Sequence, residues 1–168
     1  MPCISIHLAV AKKYVQEHGG IDNVQEFYNG NVYADLDVGL KAWHKALHFD
    51  KDYKQKFVER FKLDTDFNKG MFCHVMTDYL FLAQMNIGDE NLKRDLYYTY
   101  DVFVKDYMKK EYGITYDMTN YTKEINELIA NSQMDTKNAK VILSPKIVDD
   151  FIKRTVEAFA CLSAFDGS

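Results

Sequence analysis

Apolar residues recur with the period of an α-helix along most of the chain. In residues 4–18 an apolar stripe runs through Ile6, Val10 and Tyr14, and Gly19 follows it as a helix stop. Two prolines, at positions 2 and 145, leave the interior of the chain free to be helical. We predict helices at about residues 4–18, 23–28, 52–62, 66–84, 91–112 and 120–130, and a last helix that begins at Pro145 and carries Ile147, Phe151, Val156 and Phe159.

Two segments interrupt this helical pattern. Asn29-Gly30 is predicted to end the second helix, and residues 31–43 are interpreted as a loop that carries Asp35 and Asp37. Residues 131–140 are predicted to form a polar linker, too short to separate two domains. The predicted fold is therefore all-α, a single domain of six to seven helices over residues 1–168.

Composition narrows the class of protein. The 168 residues include 21 basic and 25 acidic side chains, a net charge of −4, without a basic run of the kind that binds nucleic acid. Three widely spaced cysteines form no CxxC pair, which argues against a disulfide framework or a thiolate zinc site. The N-terminal residues lack a signal-peptide pattern, and no apolar run reaches the roughly 18 residues of a membrane span. We expect a cytoplasmic protein without a transmembrane segment.

The most informative stretch is residues 70–84, GMFCHVMTDYLFLAQ, which is apolar nearly throughout but contains His74 and Asp78. Their i, i+4 spacing places both side chains on one face of a helix. Burying an imidazole and a carboxylate is unfavourable unless they bind each other or a third group. This pair therefore predicts either a buried hydrogen bond or a metal site.

Other candidate ligands precede this helix. All five histidines lie within the first 74 residues, and His18, next to Gly19, is interpreted as a cation at a helix C-terminus. Imidazole and carboxylate together suit Zn²⁺ and similar divalent ions. The candidate ligands are His7, Asp35 or Asp37, His44 or His48, and the pair His74 and Asp78.

Three short motifs occur in a characteristic order over about residues 4–84. They are SIHLAVAKKY with His7, GNVYAD with Asp35, and CHVMTD with His74 and Asp78. In this order they resemble the zinc-dependent phospholipase C / P1 nuclease superfamily, a group of all-helical metallo-phosphodiesterases. The family places a further histidine between the last two motifs, and His48 is its counterpart here, with His44 as the alternative.

The resemblance implies a specific set of ligands. Asp35, His48, His74 and Asp78 would form one metal site, and Asp78 would bridge to a second ion held by His7. The family binds a third zinc ion through further histidines downstream, but no histidine follows His74 in this chain. We therefore expect one or two ions, of zinc or another divalent transition metal.

Such a site predicts a metal-dependent phosphoester hydrolase whose substrate the sequence does not identify, with Asp37 as a candidate general base. The alternative is a non-catalytic helical protein that has a degenerate or structural metal site and acts through a partner surface. The tyrosine-rich residues 97–100 are one candidate for that surface. The second half of the chain is expected to cover the pocket or to form a homodimer interface.

Overall fold

The computed structural model describes residues 4–85, 109–111 and 145–166. All regular secondary structure within these residues is helical, which confirms the all-α class for this part of the chain. The phospholipase C-like topology stays a prediction. Residues 109–111 are helical, and the longer helices are α1 (Ile4–His18), α2 (Val24–Leu36), α3 (Val38–Leu47), α4 (Tyr53–Arg60), α5 (Asp66–Met85) and α6 (Pro145–Asp166).

Helices α1, α5 and α6 lie where the apolar period predicts them. Thr65, just before α5, accepts a hydrogen bond from the Asn68 amide on its hydroxyl at 3.1 Å and so caps this helix. On α6, Phe151, Val156 and Phe159 are buried as expected, whereas Ile147 is exposed. The predicted stripe on α6 is therefore correct except for its first member.

The prediction of a loop at residues 31–43 is wrong. Helix α2 continues through Asn29-Gly30 to Leu36, and α3 follows after one extended residue, Asp37, with φ −84° and ψ 122°. The Asp37 carboxylate accepts a hydrogen bond from the Leu40 amide at 2.9 Å, and the Asp37 amide donates to the Tyr33 carbonyl at 3.0 Å. Asp37 therefore ends α2 and caps α3, so Asp35 and Asp37 lie at the junction of these two helices.

Helix α2 continues through Gly30, which lies where α2 packs closely against α5. A Cβ on Gly30 would lie 2.7 Å from the carbonyl carbon of Phe67, and a Cβ on Gly70 would lie 2.9 Å from the carbonyl carbon of Phe27. The backbones of α2 and α5 thus contact each other at a pair of glycines. This close crossing brings the end of α2 against the middle of α5.

Helix α5 lies at the centre of the described fold and contacts the other five long helices. Aromatic side chains fill the spaces around it: the Phe81 and Phe151 rings meet at 5.3 Å, and the Tyr14 and Phe159 rings meet at 4.6 Å. These contacts pack α6 against α5 and α1. The polar residues of α1, α2, α3 and α5 can therefore meet beside a rigid core.

Several predictions concern residues outside the described part of the chain. These are the linker 131–140, the tyrosine-rich run 97–100, the helix at 120–130 and most of the helix at 91–112. The organisation of residues 1–168 as one domain also stays a prediction. Among the described helices, none combines the length and the apolar character that crossing a bilayer requires.

Candidate metal centre

Six side chains from four helices converge at one place beside α5. His7 projects from α1, Asp35 from the last turn of α2, and His74 and Asp78 from α5, while His44 lies on α3 and His48 is the C-cap of α3. The four histidines and Asp78 are buried, and the Asp35 side chain is 13% exposed. The fold thus assembles residues that are up to 71 positions apart in sequence.

The Asp78 carboxylate lies at the centre of this cluster. Its Oδ1 atom is 3.1 Å from His7 Nε2. Its Oδ2 atom is 3.0 Å from His48 Nε2 and 3.2 Å from His74 Nε2. The His44 Nε2 atom is 3.6 Å from the same oxygen. One carboxylate therefore faces four imidazole nitrogens, one on one oxygen and three on the other.

Asp35 contributes a second carboxylate to the cluster. Its Oδ1 atom lies 3.2 Å from His44 Nε2, and its Oδ2 atom lies 3.6 Å from His74 Nε2. Despite these distances, neither of these two ring nitrogens has a hydrogen-bond partner among the described residues. Two buried nitrogens therefore point between two carboxylates without donating to either.

The imidazole rings of His7 and His74 form a parallel stack. Their centroids are 3.7 Å apart and their planes differ by 7°. The Nδ1 atoms of both rings are buried and have no hydrogen-bond partner in the described structure. Since two stacked imidazoles repel each other when both are protonated, the stack favours a state with at most one imidazolium.

The electrostatics of the cluster follow from burial and from these contacts. Burial, and then the neighbouring His74, lower the pKa of His7 to about 4, although Asp78 and Asp35 act to raise it. Burial would also lower the pKa of His74, but Asp78 and Asp35 raise it to about 10. Burial would raise the pKa of each carboxyl, but His74 and the other histidines hold both well below their usual range. Without a metal, His74 is therefore the residue that carries positive charge between two carboxylates.

The composition and spacing of the cluster suit a divalent ion. Two groups of side chains each offer ligand atoms within 4.8 Å of one another: His7 with Asp35 and His74, and His44 with His74 and Asp78. Nitrogen and carboxylate ligands of this kind bind Zn²⁺ and neighbouring transition metals. The unpartnered nitrogens of His44 and His74 are the atoms that such an ion would engage. The residues therefore fit a metal site.

The predicted base Asp37 belongs to neither group. Its carboxylate accepts hydrogen bonds from the Leu40 amide at 2.9 Å and from the Tyr33 hydroxyl at 3.1 Å. The hydrogen bond from the Leu40 amide, and to a smaller extent that from the Tyr33 hydroxyl, holds the pKa of Asp37 below its usual value. In this structure Asp37 is a helix cap, and its role as a general base stays a prediction.

The structure also shows what the sequence pattern did not resolve. His44 and His48 are alternatives in sequence, but both reach Asp78 because their i, i+4 spacing gives them the same side of α3.

Buried Asn31 lies one turn before Asp35, and neither polar atom of its amide has a partner among the described residues. The spacing of four residues between Asn31 and Asp35 is the sequence signal that could have placed Asn31 on the same face of α2 as Asp35. By contrast, His18 ends α1, exposed and away from the cluster, with its ring stacked on Tyr14.

No family model, curated protein or solved structure matches the chain. The interpretation of the cluster therefore depends on its residues and their geometry.

Proposed function

We propose that the protein is a metal-dependent phosphoester hydrolase of the zinc type, similar in its site to zinc-dependent phospholipase C. One observation carries the proposal. Two buried ring nitrogens, His44 Nε2 and His74 Nε2, face the carboxylates of Asp35 and Asp78 and have no hydrogen-bond partner among the described residues. A divalent cation at this point would satisfy both nitrogens and both carboxylates.

The spacing of these atoms supports a metal. Zinc–nitrogen and zinc–oxygen bonds of about 2.0–2.1 Å place tetrahedral ligand atoms about 3.3 Å from one another. The distances between the ring nitrogens of His44 and His74 and the oxygens of Asp35 and Asp78 range from 3.2 to 3.6 Å. Desolvation also disfavours the charged forms of buried Asp78 and of the partly buried Asp35, and a divalent ion would offset this cost.

The arrangement around Asp78 supports a second ion beside the first. The two carboxylate oxygens face different histidines, His7 on one side and His74 on the other. The parallel rings of His7 and His74 are poorly oriented to share one ion, although ligand atoms of both lie within 4.8 Å of a ligand atom of Asp35. A pair of ions, one on each side of Asp78, would relieve this conflict.

Such ions, when bound, polarise a phosphoryl oxygen and lower the pKa of a bound water. Asp35 is the most exposed of the six residues, with 13% of its side chain accessible. Asp37 is two residues away, and acting as the general base would require it to release the Tyr33 hydroxyl or the Leu40 amide. The cytoplasmic location and the homodimer expected from the sequence stay predictions.

The first test measures metal content by plasma mass spectrometry on the tag-free full chain. Wild type is compared with His74→Ala and Asp78→Ala, and His18→Ala is the matched control because His18 lies outside the cluster. We expect near-stoichiometric zinc or another transition metal in wild type and His18→Ala, and its loss from the other two variants. A wild-type protein that takes up no metal would refute the proposal.

The second test measures catalysis. Metal-loaded wild type is assayed on bis(4-nitrophenyl) phosphate and 4-nitrophenyl phosphate, a diester and a monoester, with Asp78→Ala as the blank. We expect hydrolysis of at least one ester class that disappears in the variant. Bound metal without hydrolysis of a wider phosphoester panel would instead favour the alternative from the sequence, a non-catalytic protein with a structural metal site.

A further inference from the structure

We propose that His44, and not His48, is the permanent histidine ligand from α3, and that it closes one metal position together with Asp35, His74 and Asp78. This inference rests on the metal binding that the proposed function requires. It departs from the ligand set that the family resemblance implies, which uses a single histidine in this region and assigns it to His48. The basis is the difference between the hydrogen bonds of the two histidines.

The tautomer of His44 is fixed from outside the cluster. Its Nδ1 atom lies 3.1 Å from the Leu40 carbonyl oxygen, one turn earlier on α3. Because a carbonyl oxygen accepts and never donates, Nδ1 must carry the hydrogen. The neutral ring therefore has a bare lone pair on Nε2, the atom that faces the cluster. Histidines that bind metals commonly use their other N–H in this way.

The surroundings of His44 Nε2 are unfavourable unless a cation is present. This fully buried nitrogen lies 3.2 Å from Asp35 Oδ1 and 3.6 Å from Asp78 Oδ2. A lone pair directed at two carboxylates is repelled by both. A protonated Nε2 would donate to one of them, but this atom makes no hydrogen bond among the described residues. A cation between the three groups removes the conflict.

His48 has no such conflict. Its Nε2 atom makes a 3.0 Å hydrogen bond with Asp78 Oδ2. His48 is the C-cap of α3, so the helix precedes it but does not continue after it. His7 Nε2 also has a partner on Asp78, but His7 belongs to one of the two groups whose ligand atoms lie within 4.8 Å of one another, whereas His48 belongs to neither. His48 therefore orients Asp78 and is not itself required as a ligand. It is a positioning residue for Asp78.

Four protein donors at one ion have a chemical consequence. Metal sites with four protein ligands are closed, whereas catalytic zinc sites usually keep a position for water. Asp35, His44, His74 and Asp78 would fill the position next to Asp78 Oδ2. A second ion next to Asp78 Oδ1, which lies 3.1 Å from His7 Nε2, would then have fewer protein donors and would keep a position for water.

The test compares zinc affinity in the full-length variants His44→Asn and His48→Asn by competition with a chromophoric chelator. Asparagine keeps an N–H near the position of Nδ1, so His44→Asn can retain the bond to Leu40 while it loses the Nε2 ligand. We expect affinity to fall by well over about 100-fold in His44→Asn and by about 10–100-fold in His48→Asn, the range for residues that orient a ligand. An equal loss in both variants, or a larger loss in His48→Asn, would overturn the proposal.

A spectroscopic measurement guards against variants that fold poorly. In wild type with ¹⁵N-labelled histidine, zinc titration should shift the His44 Nε2 resonance while its Nδ1 keeps its proton. An Nε2 resonance of His44 that does not respond to zinc would overturn the proposal even if the variants are unstable. Zinc that binds through His44 in a protein inactive on every phosphoester would leave this assignment supported and refute only the hydrolase function.

Discussion

Replacing Gly30 by alanine tests the close crossing that brings α2 and α5 together. A Cβ at this position would lie 2.7 Å from the Phe67 carbonyl carbon and would overlap the carbonyl oxygen of the same residue. The obstructing atoms belong to the backbone of α5, so rotation of a side chain does not relieve the overlap. The two helices must separate instead.

The expected magnitude follows from two opposed effects. The distance of 2.7 Å is about 0.7 Å shorter than the 3.4 Å at which ordinary contacts begin, so the helices must part by at least that amount. Overpacking of this kind costs about 1–3 kcal/mol, and more where backbone is involved. Alanine recovers up to about 1 kcal/mol through its higher helix propensity. We expect a net loss of about 2 kcal/mol, or a fall in Tm of about 4–8 °C.

Gly39→Ala is the matched control because Gly39 is also helical but exposed. The nearest atom to its added Cβ is Asp37 Oδ1 at 3.3 Å, the oxygen that caps α3, and it needs to shift by only a few tenths of an ångström. Thermal and urea unfolding should show a loss of stability for Gly30→Ala and little change or a small gain for Gly39→Ala. Since Asp35 and His74 lie one turn beyond the crossing on the two helices, Gly30→Ala should also weaken zinc binding. Equal stabilities of the two variants would refute the account of the crossing.

Three further predictions follow from the core and the cluster. Phe57→Ala should cost about 3–5 kcal/mol in urea unfolding because this buried ring packs against three other aromatic rings, whereas its neighbour Val58→Ala, 47% exposed, should change stability by less than about 0.5 kcal/mol. Asp78→Asn should lower zinc affinity by well over about 100-fold in a chelator competition, since it removes the carboxylate shared by the histidines; an unchanged affinity would contradict the site. In chelator-treated protein, burial would lower the pKa of His74, but Asp78 and Asp35 outweigh burial and raise this pKa from 6.5 to about 10. The interaction of protonated His74 with the two carboxylates therefore stabilises the fold fully below pH 6.5, and this stabilisation is lost as the pH rises towards 10. Thermal melts across this range should show a smaller loss in Asp78→Asn than in wild type, and identical pH profiles would contradict the assignment.

Sequence periodicity was sufficient for α1, α4, α5 and α6, and insufficient for the second half of α2 and for α3. Helices α1 and α5 each carry an uninterrupted pattern over several turns, and Pro145 marks the start of α6. Helix α2 was predicted to end at Gly30 because glycine is a common helix stop. Its actual function there depends on a carbonyl of Phe67, 37 positions away in sequence, which no local pattern can show.

The site was partly predictable for a similar reason. His74 and Asp78 share a helix face by spacing alone, and burial of polar groups in an apolar helix indicates a partner. The choice between His44 and His48 depends instead on how α3 sits against α5, and on the Leu40 carbonyl that orients one ring. A backbone carbonyl has no side-chain signature, so the sequence contains no mark of this contact.

The unpartnered ring nitrogens support the proposed metal centre over a purely structural hydrogen-bond network. In a structural hydrogen-bond network, nearly every buried polar atom has a partner. Here four buried ring nitrogens, two on His74 and one each on His7 and His44, have none among the described residues. A metal accounts for the Nε2 atoms of His44 and His74, and the two remaining Nδ1 atoms need only ordered water.

The chain lacks the downstream histidines of the family's third zinc site, but a degenerate protein would be expected to have lost ligands of the first two positions as well. Instead the fold brings all six predicted metal ligands together, although they come from four helices and residues 7 to 78. Both histidines that the sequence left as alternatives contact the central carboxylate. Because each such group is costly to bury alone, their convergence without complete pairing supports the proposed cation. Metal content tests the site, and phosphoester hydrolysis by the metal-loaded protein then decides between a hydrolase and a protein with a structural metal.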